Sequence, residues 1–254
     1  MCRLAAYFGT EITLSQFLQE PEHSLIKQSW APKEMLDGTV NADGYGVAWL
    51  SGTDIPSSYK NVLPIWSDTN LDSLGRSLSS RVWLANVRGA TPGQGISEAN
   101  TQPFIKDELI FTHNGCLKPF GQEIKSSLLD ILSNEIRAEI NGNSDSLYLF
   151  ALLQHHLLIQ KSLPEAIINM MNDLRIICSD KVSALLNLVI FDGDIIHACR
   201  YAINGSCPSL YYSLGDDNIR VASEPLTPND EWVSFPEHSL VSFNNTGVIE
   251  RYKL

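Results

Sequence analysis

The chain has 254 residues, 44% of them hydrophobic and 19% charged, with 18 Lys and Arg against 29 Asp and Glu for a net charge of −11. That length supports a sizeable core without staples, and the acidic balance argues against a nucleic-acid backbone or an anionic membrane surface as a partner. The most apolar stretches are too short to span a bilayer, no secretory leader pattern opens the chain, and five scattered cysteines without C-x-x-C suit reduced thiols in a cytoplasm.

The first nine residues, MCRLAAYFG, place Cys2 directly before a strand-like run, Arg3–Phe8. Cys2 reads either as a small packed side chain or, after removal of Met1, as a terminal residue. In the second case its thiol and its free α-amino group, a base with a reference pKa of about 8, belong to one residue. TLSQFLQ (Thr13–Gln19) has helical spacing. NADGYGVAW (Asn41–Trp49) contains G-x-G but fits neither a dinucleotide fingerprint nor a P-loop. It leads into a strand, Tyr45–Leu50, and the polar stretch Ser51–Asn61 reads as a loop between strands.

A strand over Val82–Arg88 delivers Arg88 to its end, where Ala-Thr-Pro-Gly turns the chain. Arg88 is either a surface cation beside a turn or a planar fork for a carboxylate, with the Thr91 hydroxyl three residues on. The next strand, Glu108–His113, is followed by Asn114-Gly115. That pair is either a turn or two donors, a side-chain amide and a backbone N–H, for an oxyanion.

Helical periodicity then spans Ser126–Ile140, with Leu128, Leu129, Leu132 and Ile136 on one face. Two further helices follow, Ser144–Gln160 and Ser162–Cys178. Ser144 or Asp145 caps the first of these, and a carboxylate at Asp145 also suits a substrate ammonium. Adjacent His155 and His156 point apart and are poorly placed to share a metal, and no spacing suggests zinc. Strands resume over Ser183–Phe191, Asp194–Tyr201, Ser209–Leu214, Ile219–Ser223 and Ser239–Phe243, with a hairpin at Asp192-Gly193. Strands, a helical middle and more strands, without a linker, predict one α+β domain over residues 1–254.

In this order, Cys2, R-x-A-T-x-G at Arg88, H-N-G at His113–Gly115 and S-D-S at Ser144–Ser146 resemble the class II glutamine amidotransferases, which are N-terminal nucleophile (Ntn) hydrolases. PEHSLIKQSWAP, VNADGYGVAW, SEANTQPF and VASEPL extend the resemblance along the chain. They are similar to its stand-alone branch, which holds the γ-glutamyl amidohydrolase of ergothioneine biosynthesis and the amidotransferase-like subunit that degrades glutathione.

The resemblance implies an αββα sandwich of two mainly antiparallel sheets flanked by helices. It assigns Cys2 as nucleophile, its α-amino group as base, and Asn114 with Gly115 as the oxyanion hole. Arg88 and Thr91 would hold the α-carboxylate of a γ-glutamyl group, and Asp145 its ammonium. It implies no metal or organic cofactor and a small-molecule substrate, a γ-glutamyl peptide or glutamine. A homo-oligomer or a separate synthase or peptidase subunit is compatible with it. The rival readings are a glutaminase subunit feeding a synthase and a catalytically silent Ntn-fold binding protein. Asn86, Gly89 and Pro92 depart from the family pattern, Gly89 by removing a bulky wall near the glutamyl site.

Overall fold

The computed structural model describes every residue except Asp37 and Pro92. In chain order the elements are β1 (Arg3–Thr13), α1 (Leu14–Leu18), α2 (Leu25–Trp30), β2 (Tyr45–Leu50), β3 (Pro56–Asn61), α3 (Leu71–Ser77), β4 (Ser79–Val87), β5 (Phe104–Lys106) and β6 (Leu109–Lys118). There follow α4 (Gln122–Ile131), α5 (Asn134–Glu139), α6 (Asp145–Leu157), α7 (Leu163–Cys178), β7 (Ser183–Phe191) and β8 (Ile196–Ile203). The chain ends with β9 (Tyr211–Leu214), β10 (Asn218–Ala222), β11 (Trp232–Ser234), β12 (Ser239–Asn244) and β13 (Gly247–Lys253).

The strands form two antiparallel sheets, one in the order β11-β9-β10-β1-β4-β2-β3 and one in the order β13-β12-β8-β7-β6-β5. Alternation along each strand explains the layering. On β1, Leu4, Ala6 and Phe8 point between the sheets, and Ala5 and Tyr7 point outward beneath α1–α3. On β7, Val189 and Phe191 face the other sheet, while Leu186, Leu188 and Ile190 pack under α4–α7. Both faces of both sheets are therefore covered, which is why these strands read as unbroken apolar runs. The architecture is α+β, with helices outside a two-sheet sandwich.

The structure corrects three expectations. Ser51–Asn61 is not all loop, because Pro56–Asn61 pairs with β2 as an edge strand. The helix read over Ser126–Ile140 is two. Leu132 is extended, and the Ser133 side chain accepts from the Ile136 amide to start α5, while Leu128, Leu132 and Ile136 stay buried across the break. Asn114-Gly115 does not follow a strand as a turn but lies inside β6, facing Asn187 and Leu186 of β7. The hairpin at Asp192-Gly193 is present, with Gly193 at φ +108° and the Asp192 carboxylate accepting from the Asp194 and Ile195 amides. Among the described residues, no helix is long and apolar enough to cross a membrane.

Candidate active site

Cys2 stands one residue before β1, and Arg88 one residue after β4. The pairing of Arg3 with Val87 in the antiparallel ladder brings these two ends together. Cys2 is 8% exposed, with its Sγ 3.9 Å from the Gly89 carbonyl oxygen. Burial pushes its thiol up, opposed by the N-terminal charge, the Gly89 contact and the Arg88 guanidinium, and reinforced by the Asp145 carboxylate. With Met1 attached, the Cys2 nitrogen is an amide and has no basicity.

Arg88 is 3% exposed. Its Nη2 donates to the Gly95 carbonyl at 3.1 Å, whereas Nη1 is buried with no hydrogen-bond partner among the described residues. A guanidinium withdrawn from water and left half-satisfied is costly unless something anionic completes it. Its backbone is held between Gly44 and Asp43 at 2.8 and 3.0 Å. Thr91 lies in the turn beyond, where its carbonyl accepts from the Gln94 amide at 3.0 Å. Its hydroxyl makes no hydrogen bond to the other site residues among those described.

Asp145 begins α6, but Ser144 is its cap, accepting from the Leu147 amide. The Asp145 carboxylate accepts instead from the Leu117 amide at 2.9 Å and the Ser146 amide at 2.8 Å, which fixes it between α6 and β6. A carboxylate has roughly four lone-pair sites, so even with the further contact from Ser146 Oγ at 3.4 Å one remains for a ligand among the described residues.

Asn114 is fully buried, and its Nδ2 donates to Ser223 Oγ at 3.1 Å. The same hydroxyl accepts from the Leu4 amide at 2.8 Å, linking β6 to the start of β1. One Nδ2 hydrogen of Asn114 remains free for an oxyanion. At Gly115 a Cβ would lie 1.7 Å from the Leu185 carbonyl oxygen, so packing alone excludes any other residue there.

The departures from the family pattern have local explanations. Asn86 donates to Thr112 Oγ1 and to the His113 carbonyl, stitching one sheet to the other. A Cβ on Gly89 would meet Asn41 Oδ1 at 2.9 Å, so Asn41 occupies the place of the missing wall. Pro92 lies outside the described residues.

Sequence reasoning assigned no role to several residues around this centre. His113 is buried, and burial lowers its pKa against the opposing Asp145 charge and Leu185 contact. Its Nε2 donates to the Leu185 carbonyl at 3.0 Å and its Nδ1 is hydrogen-bonded with Ser146 Oγ at 2.9 Å. The Gln102 amide clasps both His113 and Ser146. Behind Cys2, Arg3 and Glu224 form a buried ion pair, and His23 Nε2 donates to the same carboxylate. Their stretches, TQPF, PEHS and VASEPL, were visible as motif text, but nothing local in them announces a contact.

Two cavities, of about 190 Å³ beside Lys60 and Phe104 and about 200 Å³ beside Tyr7 and Arg220, lie away from Cys2. Cys207 and the adjacent Glu237 and His238, 30 residues further on, bring a thiol, a carboxylate and an imidazole within 4.8 Å of one another. Arg200 already pairs with Glu237 there at 3.3 Å, a cation where a metal would compete.

A sequence profile described as glutamine amidotransferases class-II matches residues 23–204, a span that holds Arg88, Asn114, Gly115 and Asp145. The chain belongs to that family, whose members act on amides. Among curated relatives, it is 29% identical to "Probable glutamine amidotransferase DUG3" of Saccharomyces cerevisiae, over 98% of this chain and 83% of that one. It is 28% identical to the gamma-glutamyl-hercynylcysteine sulfoxide hydrolase of Mycobacterium tuberculosis, over 98% and 95%. A solved glutamine aminotransferase class-II domain protein from Silicibacter pomeroyi superposes with a TM-score of 0.72 at 24% identity, covering 99% of both chains. The glutamine phosphoribosylpyrophosphate amidotransferase of B. subtilis gives 0.71 at 17% identity, and 49% of that chain is matched. These two likenesses establish the shared fold.

Proposed function

We propose that the protein is a γ-glutamyl amide hydrolase whose nucleophile is Cys2, exposed as the terminal residue by removal of Met1. The observation that carries this reading is the buried Arg88 guanidinium beside Cys2 with Nη1 unpartnered. A γ-glutamyl head brings one carboxylate for that donor and one ammonium for Asp145, so the site and the ligand neutralise each other pairwise. On this reading Thr91, three residues after Arg88, assists it at the carboxylate.

In this mechanism the Cys2 amine takes the thiol proton and the sulfur attacks the δ-carbonyl carbon. The oxyanion is held by the free Asn114 Nδ2 hydrogen and the Gly115 amide. Collapse breaks the C–N bond, the leaving amine takes the proton from the Cys2 ammonium, and a γ-glutamyl thioester remains. The amine then deprotonates a water, which hydrolyses the thioester to glutamate and free thiol.

A γ-glutamyl peptide, as in ergothioneine biosynthesis, is the favoured substrate because the hydrolase relative aligns over nearly the whole of both chains. Glutamine, with ammonia passed to a separate synthase, is the second reading, favoured by the amidotransferase relative. The test measures glutamate release from a panel of γ-glutamyl peptides alongside glutamine, with intact mass recorded for the same sample. Peptide turnover by a Met1-free chain, abolished in a folded Cys2→Ala variant, is the expected result. Strong preference for glutamine would move the assignment to the second reading, and full activity in Cys2→Ala would remove Cys2. A Met1-free chain inert toward the panel and glutamine would favour a silent binding protein.

A further inference from the structure

The residue after the nucleophile is a buried cation that reaches back to it. Arg3 is 0% exposed, and its Nε donates to the carbonyl oxygen of Cys2 at 2.7 Å. Its Nη1 meets Glu224 Oε1 at 3.2 Å, a partner 221 residues away. Glu224 is itself almost fully buried, just past β10. It also accepts from His23 Nε2 at 2.6 Å and from the backbone amides of Lys33 and Glu34 at 2.9 and 3.0 Å. His23 is fixed in turn, since its carbonyl accepts from Gln28 Nε2 at 2.9 Å. One carboxylate thus gathers the start of β1, the α2 region and the segment leading to Gly38, where a Cβ would lie 3.6 Å from the Met1 nitrogen.

This arrangement has a particular value for a terminal residue. An internal residue is held by peptide planes on both sides, but residue 2 without Met1 keeps only the plane it shares with Arg3. Its amine and thiol both hang from that plane through the single Cα–C torsion. A charge-assisted hydrogen bond to the plane's carbonyl fixes the base from which both reacting groups project. A neutral or shorter side chain at position 3 would leave that carbonyl without this donor.

We propose that Glu224, acting through Arg3, is a positioning residue for the Cys2 thiol and amine. The assignment rests on the reading of Cys2 as the mature terminal nucleophile. Neither Arg3 nor Glu224 touches the proposed glutamyl head, so the pair governs the chemical step and not the grip on substrate.

The test compares Arg3→Lys, Glu224→Gln and Cys2→Ala with the wild type, using whichever of the γ-glutamyl peptides or glutamine the wild type turns over. Intact mass confirms Met1 removal and thermal unfolding confirms the fold. Arg3→Lys keeps a cation for Glu224 but loses the fork that serves two acceptors at once. Its kcat should fall roughly 10- to 100-fold, with KM within about twofold of wild type because Arg88 and Asp145 are untouched. Glu224→Gln should move the same way. Should that variant fail to fold because Arg3 is left buried and unpaired, Arg3→Lys decides alone. Wild-type kcat in folded Arg3→Lys, or a loss carried by KM, overturns the positioning role while an inactive Cys2→Ala leaves the nucleophile reading intact. Full activity in Cys2→Ala overturns both.

Discussion

Arg88 shows how much one side chain decides at this centre. Its Nη2 is spent on Gly95, and its buried Nη1 has no hydrogen-bond partner among the described residues. Arg88→Lys keeps the charge but not the second donor, and steady-state kinetics should show KM for a γ-glutamyl substrate raised by roughly 10- to 100-fold, for the loss of about 1.5–3 kcal/mol of charged hydrogen bonding. Gly115 poses a different constraint, since its Cβ position collides with the Leu185 carbonyl. Gly115→Ala should cost about 3 kcal/mol or more in denaturant unfolding, so lost activity there reports packing before chemistry. For Cys2, burial above all raises the thiol, so in the Met1-bearing form its alkylation rate should keep climbing above the ordinary thiol range of about pH 8.5. A plateau below that range would contradict the burial.

Among the elements, α6 is the one whose start matters most. Ser144 caps it and Asp145 then reaches the Leu117 amide of β6. Ser144→Ala should lower stability by about 1 kcal/mol in denaturant unfolding and weaken substrate binding together with it, because the cap sets where Asp145 stands. This helix, β2 and β7 were legible in the sequence, since their apolar patterns are strong and their boundaries carry Ser, Gly or Asp signals. β3 was not, because PSSYKN is a short edge strand with a polar, turn-like composition, and its half-burial comes from partners such as Asp68 that the sequence does not announce. α2 and α3 span only 6 and 7 residues, too short to display a period. The Asn-Gly pair misled for a tertiary reason. Its strand continues because β7 pairs beside it, and nothing local says so. Arg88 and Asp145 could be found from motif text, whereas the partnership of Arg3 with Glu224 spans almost the whole chain and leaves no spacing to read.

At the scale of the molecule, the two sheets are joined near the site by Asn86 and Asn114, while behind it Glu224 ties the start of β1 and the end of β10, neighbours in one sheet, to the α2 region. Burial alone would raise the Glu224 carboxyl, but hydrogen bonds from His23, Lys33 and Glu34, with the Arg3 charge, hold it down at about 2. A depressed carboxylate stabilises the fold fully above its unfolded pKa of about 4.3, and that contribution disappears as pH falls toward 2. The stability gap between wild type and Glu224→Gln, measured by urea unfolding, should therefore be full at pH 7 and narrow steadily between pH 4 and pH 2. A gap independent of pH would show that the charge of Glu224 does not contribute. On the proposal that Cys2 is the mature terminus, its place directly before β1 has a practical corollary for anyone producing the protein. A purification handle fused upstream would leave the sulfur-bearing residue internal and its amine acylated, so affinity tags belong after Leu254, beyond the outward-facing edge strand β13.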